Sequence, residues 1–87
     1  MNDVLFRKKA IEQYLEWLQR DRAVFDKITA LIEETGRTPF RGTGKPEPLK
    51  GNRRGCWSRR ITEEHRLIYR MKDDALEILS CMGHYED

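Results

Sequence analysis

The chain has little cysteine and no long apolar run. Cys56 and Cys81 are the only cysteines in 87 residues, and each sits in an apolar-flanked stretch. Two isolated thiols exclude the disulfide framework of small secreted domains, so both are expected to be buried residues in a reducing cytoplasm. No apolar stretch approaches the ~18 residues of a membrane span, which argues against a membrane partner. The N-terminus shows no apolar centre followed by a small-residue cleavage site, again pointing to the cytoplasm. His65 and His84 are the only histidines. With two scattered cysteines they give no recognised ligand spacing, so neither metal nor any other cofactor is expected. Internal repeats and low-complexity segments are also missing.

Carboxylates are scarce in one place. Between Arg37 and Lys72 lie eleven of the seventeen Lys and Arg but only three of the fifteen Asp and Glu, so this segment carries +8 and the rest −6. The formal net charge of +2 hides that split. Positive surface segregated from negative surface suits a polyanion binder, because field and counterion release both scale with local charge. One of the three acids, Glu47, stands between Pro46 and Pro48. A single fixed acid among arginines suggests phosphate chemistry as well as phosphate binding.

At this length residues 1–87 make one domain with one core. The apolar fraction of 38% against a charged fraction of 37% leaves that core thin, so a homodimer is expected. Val4–Phe6 predicts a short first strand. Ile11, Tyr14, Leu15 and Leu18 recur at three and four residues, predicting a helix from Lys8 to Gln19 with that apolar stripe. Asp21 is the expected N-cap of a second helix striped by Val24, Phe25, Ile28, Leu31 and Ile32, with Gly36 as its C′ residue. Arg37–Arg54 holds all three prolines and is expected to be a long, functional loop. Cys56–Thr62, His65–Met71 and Ala75–Met82 then predict three strands joined by short polar turns. The fold class is α+β: an N-terminal helical hairpin on one face of a twisted, mainly antiparallel sheet.

Side chains alternate across a strand, so parity sorts them. Trp57, Ile61, Leu67, Tyr69 and Met71 are expected to face the helices, leaving Arg60 and Arg66 on the free face beside the proline-rich loop. His65 falls on the core parity and is read as structural. The last strand is apolar on both parities, and its register stays open.

Metal-free RNA cleavage needs a base for the ribose 2′-OH, cations on the crowded phosphate and an acid for the departing 5′-oxygen. Glu47 is the available base. Arg60 and Arg66 offer planar forks that match two phosphate oxygens. His84 suits the acid, with Tyr85 and Lys50 in support. Neighbouring arginines weaken a carboxylate as a base. The residues therefore leave open whether Glu47 takes the proton or orients the hydroxyl. Two plainer readings stand beside this one: arginines that merely solvate an outer sheet face, and a terminal His-Tyr pair that merely ends a strand.

The segments GRTPF (Gly36 to Phe40), GKPEPLK (Gly44 to Lys50), WSRRITEEHRLIY (Trp57 to Tyr69) and the closing HY (His84, Tyr85) together resemble the YoeB branch of the RelE-type bacterial toxins. The resemblance implies a small endoribonuclease that cuts messenger RNA in the ribosomal A site. It implies as partners the ribosome and a YefM-like antitoxin, with operator DNA reached only through the antitoxin complex. It places the general base on Glu47, the phosphate-stabilising arginine on Arg66 with Arg60 in support, the acid on His84, a substrate-positioning role on Tyr85 and a backbone contact on Lys50. The products would be a 2′,3′-cyclic or 3′-phosphate and a 5′-hydroxyl. A non-catalytic ribosome-binding or corepressor module is the alternative. The sequence departs from the family pattern at its end, where Glu86 and Asp87 follow the His-Tyr pair, and Gly83 offers freedom to leave the strand.

Overall fold

The computed structural model describes residues 3–84. The elements are β1 (Asp3–Phe6), α1 (Lys8–Arg20), α2 (Arg22–Arg37), β2 (Glu47–Pro48), a 3-10 turn (Gly51–Arg53), β3 (Trp57–Arg60), β4 (Arg66–Lys72) and β5 (Ala75–Ser80). The strands form one sheet in the order β1-β5-β4-β3-β2. β1 runs parallel to β5, and the other pairings are antiparallel. This is the expected α+β arrangement. No described helix is long and apolar enough to cross a membrane.

One residue joins the two helices. The Asp21 N–H donates to the Trp17 carbonyl at 2.8 Å, closing α1, while its carboxylate accepts from the Val24 N–H at 3.3 Å and caps α2. The hairpin lays Ala10, Trp17, Ile28 and Leu31 on Ile61, Leu67, Tyr69, Leu76 and Ile78. Leu67 and Tyr69 of β4 and Ile61 just after β3 are buried against the helices and Arg60 lies exposed on the opposite face, as expected, while Ser58 and Ile68 of that opposite face are buried too.

The predicted stripe of α1 is corrected. Leu15 and Leu18 are 52% and 37% exposed, whereas Ala10 and Trp17 are buried. Polar partners decide the rotation: the Trp17 indole N–H donates to the Cys81 carbonyl at 2.9 Å, and the Gln13 amide oxygen accepts from the Cys81 N–H at 2.8 Å. Gly36 is not a C′ residue either. α2 continues through Arg37, and Thr38 closes it by donating its N–H to the Glu34 carbonyl at 2.8 Å.

The long loop contains structure that its prolines conceal. Glu47 and Pro48 pair with Ser58 and Trp57 as an edge strand. Two prolines are compatible with that position because an edge strand has one side free of ladder bonds. The register left open for β5 is set by a bulge. Ile68 pairs with Ser80 and Tyr69 with Ile78, so Leu79 is the extra residue. The bulge turns Ser80 onto the free face and sends Cys81 back toward α1. The turn into β5 is tight, with Asp73 and Asp74 both at positive φ, as a type I′ hairpin requires. Both cysteines are free and buried, and burial pushes the Cys81 thiol up to about 12.

Candidate active site

The free face of the sheet gathers the predicted residues. Directly paired residues point to the same side of a sheet. Glu47, Ser58, Ile68 and Ser80 therefore form one row across β2, β3, β4 and β5, and Arg60 and Arg66 are paired two residues along. From β2 to β4 is two strand spacings, about 10 Å, which leaves room for a phosphodiester and its ribose. Among the described residues no ion pair or hydrogen bond engages the Glu47 carboxylate. Lys50 is exposed and opens the 3-10 turn just beyond β2. Tyr85, Glu86 and Asp87 lie outside the described residues.

Arg66 is held before any substrate arrives. Its Nη1 donates to the carbonyls of Thr62, Glu63 and His65 at 2.8, 3.0 and 3.1 Å. Its Nη2 is thereby directed at His84 Nε2, 3.3 Å away. Guanidinium only donates, so His84 Nε2 presents a lone pair to it. His84 itself arrives by a route that alternation along a strand would not give. β5 ends at Ser80, the next residues turn off the sheet, and Gly83 takes φ +92°, a conformation that L side chains rarely adopt. The Gly83 carbonyl accepts from the Arg66 N–H at 2.9 Å.

A cleft of about 70 Å³ opens beside His84. Ile68, Met82, Ser80 and Gly83 line it together with Lys9 of α1 and Arg53 of the 3-10 turn. The sequence reading missed both cations. Lys9 lies outside the basic segment, and Arg53 is one of several arginines there that spacing cannot rank.

Arg59 has another task. It falls on the core parity and is fully buried. Its Nε donates to the Tyr69 hydroxyl at 3.2 Å, and its Nη1 donates to Glu34 Oε2 and the Thr43 carbonyl at 3.0 and 3.1 Å. Its Nη2 donates to the carbonyls of Thr38 and Arg41. One side chain thus fastens the start of the loop that carries Glu47. Gly42 is required in that arrangement, because a side chain there would run into the Glu34 carboxylate and its φ is +120°.

The Thr43 N–H, followed by the Thr43 hydroxyl and Arg59, holds the Glu34 carboxyl below its ordinary 4.5 against the opposing pull of burial. Arg70, then Arg7 and Lys72, does the same for the buried Glu77. A depressed carboxyl stabilises the fold fully above its unfolded value and loses that contribution as pH falls through the folded one. The urea midpoint is accordingly expected to drop below pH 4.5, and Glu34→Gln to lower the midpoint at pH 7 while flattening the acid decline. An unchanged acid slope in that variant would separate Glu34 from the effect.

Residues 6–85 match the model of the YoeB-like toxin of bacterial type II toxin-antitoxin systems. The chain belongs to the YoeB-like toxin family. Toxin YoeB of Escherichia coli K12 is 51% identical over 82 residues, covering 94% of this chain and 98% of that protein. A solved YoeB/ParE toxin from Agrobacterium tumefaciens superposes with a TM-score of 0.94 at 44% identity, covering 95% of this chain and 99% of that one. A Staphylococcus aureus YoeB has been solved as a YoeB-YefM complex, with a TM-score of 0.88 at 38% identity, covering 98% of this chain and 99% of that one. A YoeB dimer from Staphylococcus aureus has also been solved, with a TM-score of 0.89 at 40% identity, covering 97% of this chain and 98% of that one. YafQ of E. coli, 16% identical with a TM-score of 0.73, shares the fold.

Proposed function

We propose that this chain is a ribosome-dependent endoribonuclease that cuts messenger RNA in the ribosomal A site. The observation that carries the reading is the Arg66–His84 contact on a basic sheet face that also bears Glu47. Glu47 takes the proton of the ribose 2′-OH, or orients that hydroxyl, as its oxygen attacks phosphorus. Arg66, supported by Arg60, neutralises the non-bridging oxygens as negative charge builds. His84 gives a proton to the departing 5′-oxygen. The bond to that oxygen breaks, leaving a 2′,3′-cyclic phosphate and a 5′-hydroxyl.

The pre-set guanidinium suggests an order of events. A phosphate that takes up Arg66 Nη2 releases His84 Nε2 from its donor, and the freed nitrogen can then bind a proton. Lys9 and Arg53 lie on the cleft beside it and are suited to phosphates flanking the scissile one. Tyr85 positions the substrate, and Lys50 meets the RNA backbone.

The cognate partner is a YefM-like antitoxin that covers the basic face, and the toxin is a homodimer in its absence. Both follow Staphylococcus aureus YoeB proteins, solved as a YoeB-YefM complex and as a dimer.

Mapping the ends of a translated mRNA tests the catalytic reading. Cuts with 5′-hydroxyl ends are expected with ribosomes present, and not on free RNA. Intact mRNA together with retained ribosome or antitoxin binding would select the non-catalytic alternative. Lys9→Gln is expected to reduce the slope of log affinity for RNA against log salt by about one, as loss of a single phosphate contact does. An unaltered slope in filter-binding titrations would remove Lys9 from the RNA path.

A further inference from the structure

The peptide just before His84 is gripped from two sides, and one grip belongs to His65. The Gly83 N–H donates to His65 Nδ1 at 2.9 Å, while the Gly83 carbonyl takes the Arg66 N–H. The His65 ring meets Trp17 edge-on at 4.9 Å, and Trp17 is itself fixed by its bond to the Cys81 carbonyl. Two residues upstream, α1 clamps the Cys81 peptide through Gln13 and Trp17, so the exit from β5 is guided at each step.

We propose that His65 is a positioning residue whose neutral imidazole, with its lone pair on Nδ1, sets where His84 stands. The proposal deepens the ribonuclease reading and rests on it for its activity arm only. A backbone N–H can only donate, so Nδ1 has to accept. A proton on Nδ1 would set donor against donor, break the Gly83 bond and free the segment that carries His84. His84 must hold a proton to serve the leaving oxygen. The two histidines of this chain therefore work in opposite charge states, which is a demand that composition does not reveal.

Charged groups of both signs stand around His65. Asp21, Glu64 and Arg20 share its hollow, and Trp17, Thr62 and Val24 complete the lining. Arg66, next in sequence, adds a second cation whose Nη1 is committed to the carbonyls of the turn.

Three variants separate the grip from mere packing. Asn places its side-chain oxygen where Nδ1 stands and cannot titrate. Gln places its acceptor near the Nε2 position instead, and Leu supplies none. Amide exchange of Gly83, followed by NMR in the full chain without RNA, is the first readout. Wild-type protection is expected to fall as His65 gains a proton, His65→Asn to stay protected and flat with pH, and His65→Gln and His65→Leu to exchange about tenfold faster or more. Single-turnover cleavage is the second readout. His65→Gln is expected to lose about tenfold in kcat with KM held, and His65→Asn to stay close to wild type with a shallower acid limb.

Gly83 protection that ignores the charge of His65, or that His65→Gln preserves, overturns the proposal. If His65→Gln and His65→Leu do not fold, the wild-type and His65→Asn titrations still decide it. Absence of any cleavage by the wild type would refute the ribonuclease reading, and the exchange data would judge the His65 grip by themselves.

Discussion

Arg66→Gln is expected to slow cleavage of ribosome-bound mRNA by about two to three orders of magnitude, with KM changed little. Arg66 has two duties in the folded chain. Three turn carbonyls bind one of its terminal nitrogens, and the other faces His84. A donor pre-set in this way reorganises little when charge develops on the phosphate, and donors of that kind contribute most to the transition state. Glutamine keeps some polarity, and it loses the permanent charge and the fork that serves carbonyls and phosphate together. Arg66→Lys is expected to fail almost as badly, since one ammonium cannot hold the turn and reach the phosphate. Single-turnover rates measured at saturating protein check this. A rate within threefold of wild type in either variant would take Arg66 out of the chemistry.

Arg59→Met is expected to destabilise the domain by about 3–5 kcal/mol, the range seen when one member of a buried charged network is removed. The side chain is fully buried, and its loss leaves the Thr38, Arg41 and Thr43 carbonyls without their guanidinium donor. It also strips a donor from the Tyr69 hydroxyl, whose own proton goes to the Pro39 carbonyl at 2.7 Å. Desolvation already raises the Tyr69 phenol above its ordinary 10.0, so the ring does not substitute as an anion. Urea titration gives the loss directly. Because Arg59 and Glu34 share a bond, the Arg59→Met, Glu34→Gln double variant is expected to cost less than the two single costs summed. Full additivity would mean that the two side chains act separately. A small loss for Arg59→Met alone would mean that the loop carrying Glu47 is held by other means.

Much of this molecule is legible from its sequence, and the misses have physical causes. Charge segregation, the Asp21 cap and strand parity are local properties, and they lead to the helical hairpin, the three central strands and the basic face. Rotation of α1 is not local. Leu15 and Leu18 continue one helical stripe and Ala10 and Trp17 another, and the distant Cys81 peptide selects between those faces through Trp17 and Gln13. The bulge at Leu79 leaves no trace in a strand that is apolar on both parities, so the path that brings His84 to Arg66 cannot be read ahead of the fold. Lys9 and Arg53 meet at one cleft from elements more than forty residues apart in the chain. Arg59 stood on the core parity among apolar neighbours, and its burial depends on carbonyls supplied by the loop.

The prolines that flank Glu47 act beyond the acid between them. A strand of two residues bordered by imino nitrogens cannot template another chain, so the β2 rim is closed to further pairing. The β1 rim, with Val4 and Leu5 exposed, is the only outer rim of the described sheet with a run of backbone donors. Two copies zipped together there would turn only blunt margins outward. Lateral accretion of the sheet would stop at such a pair.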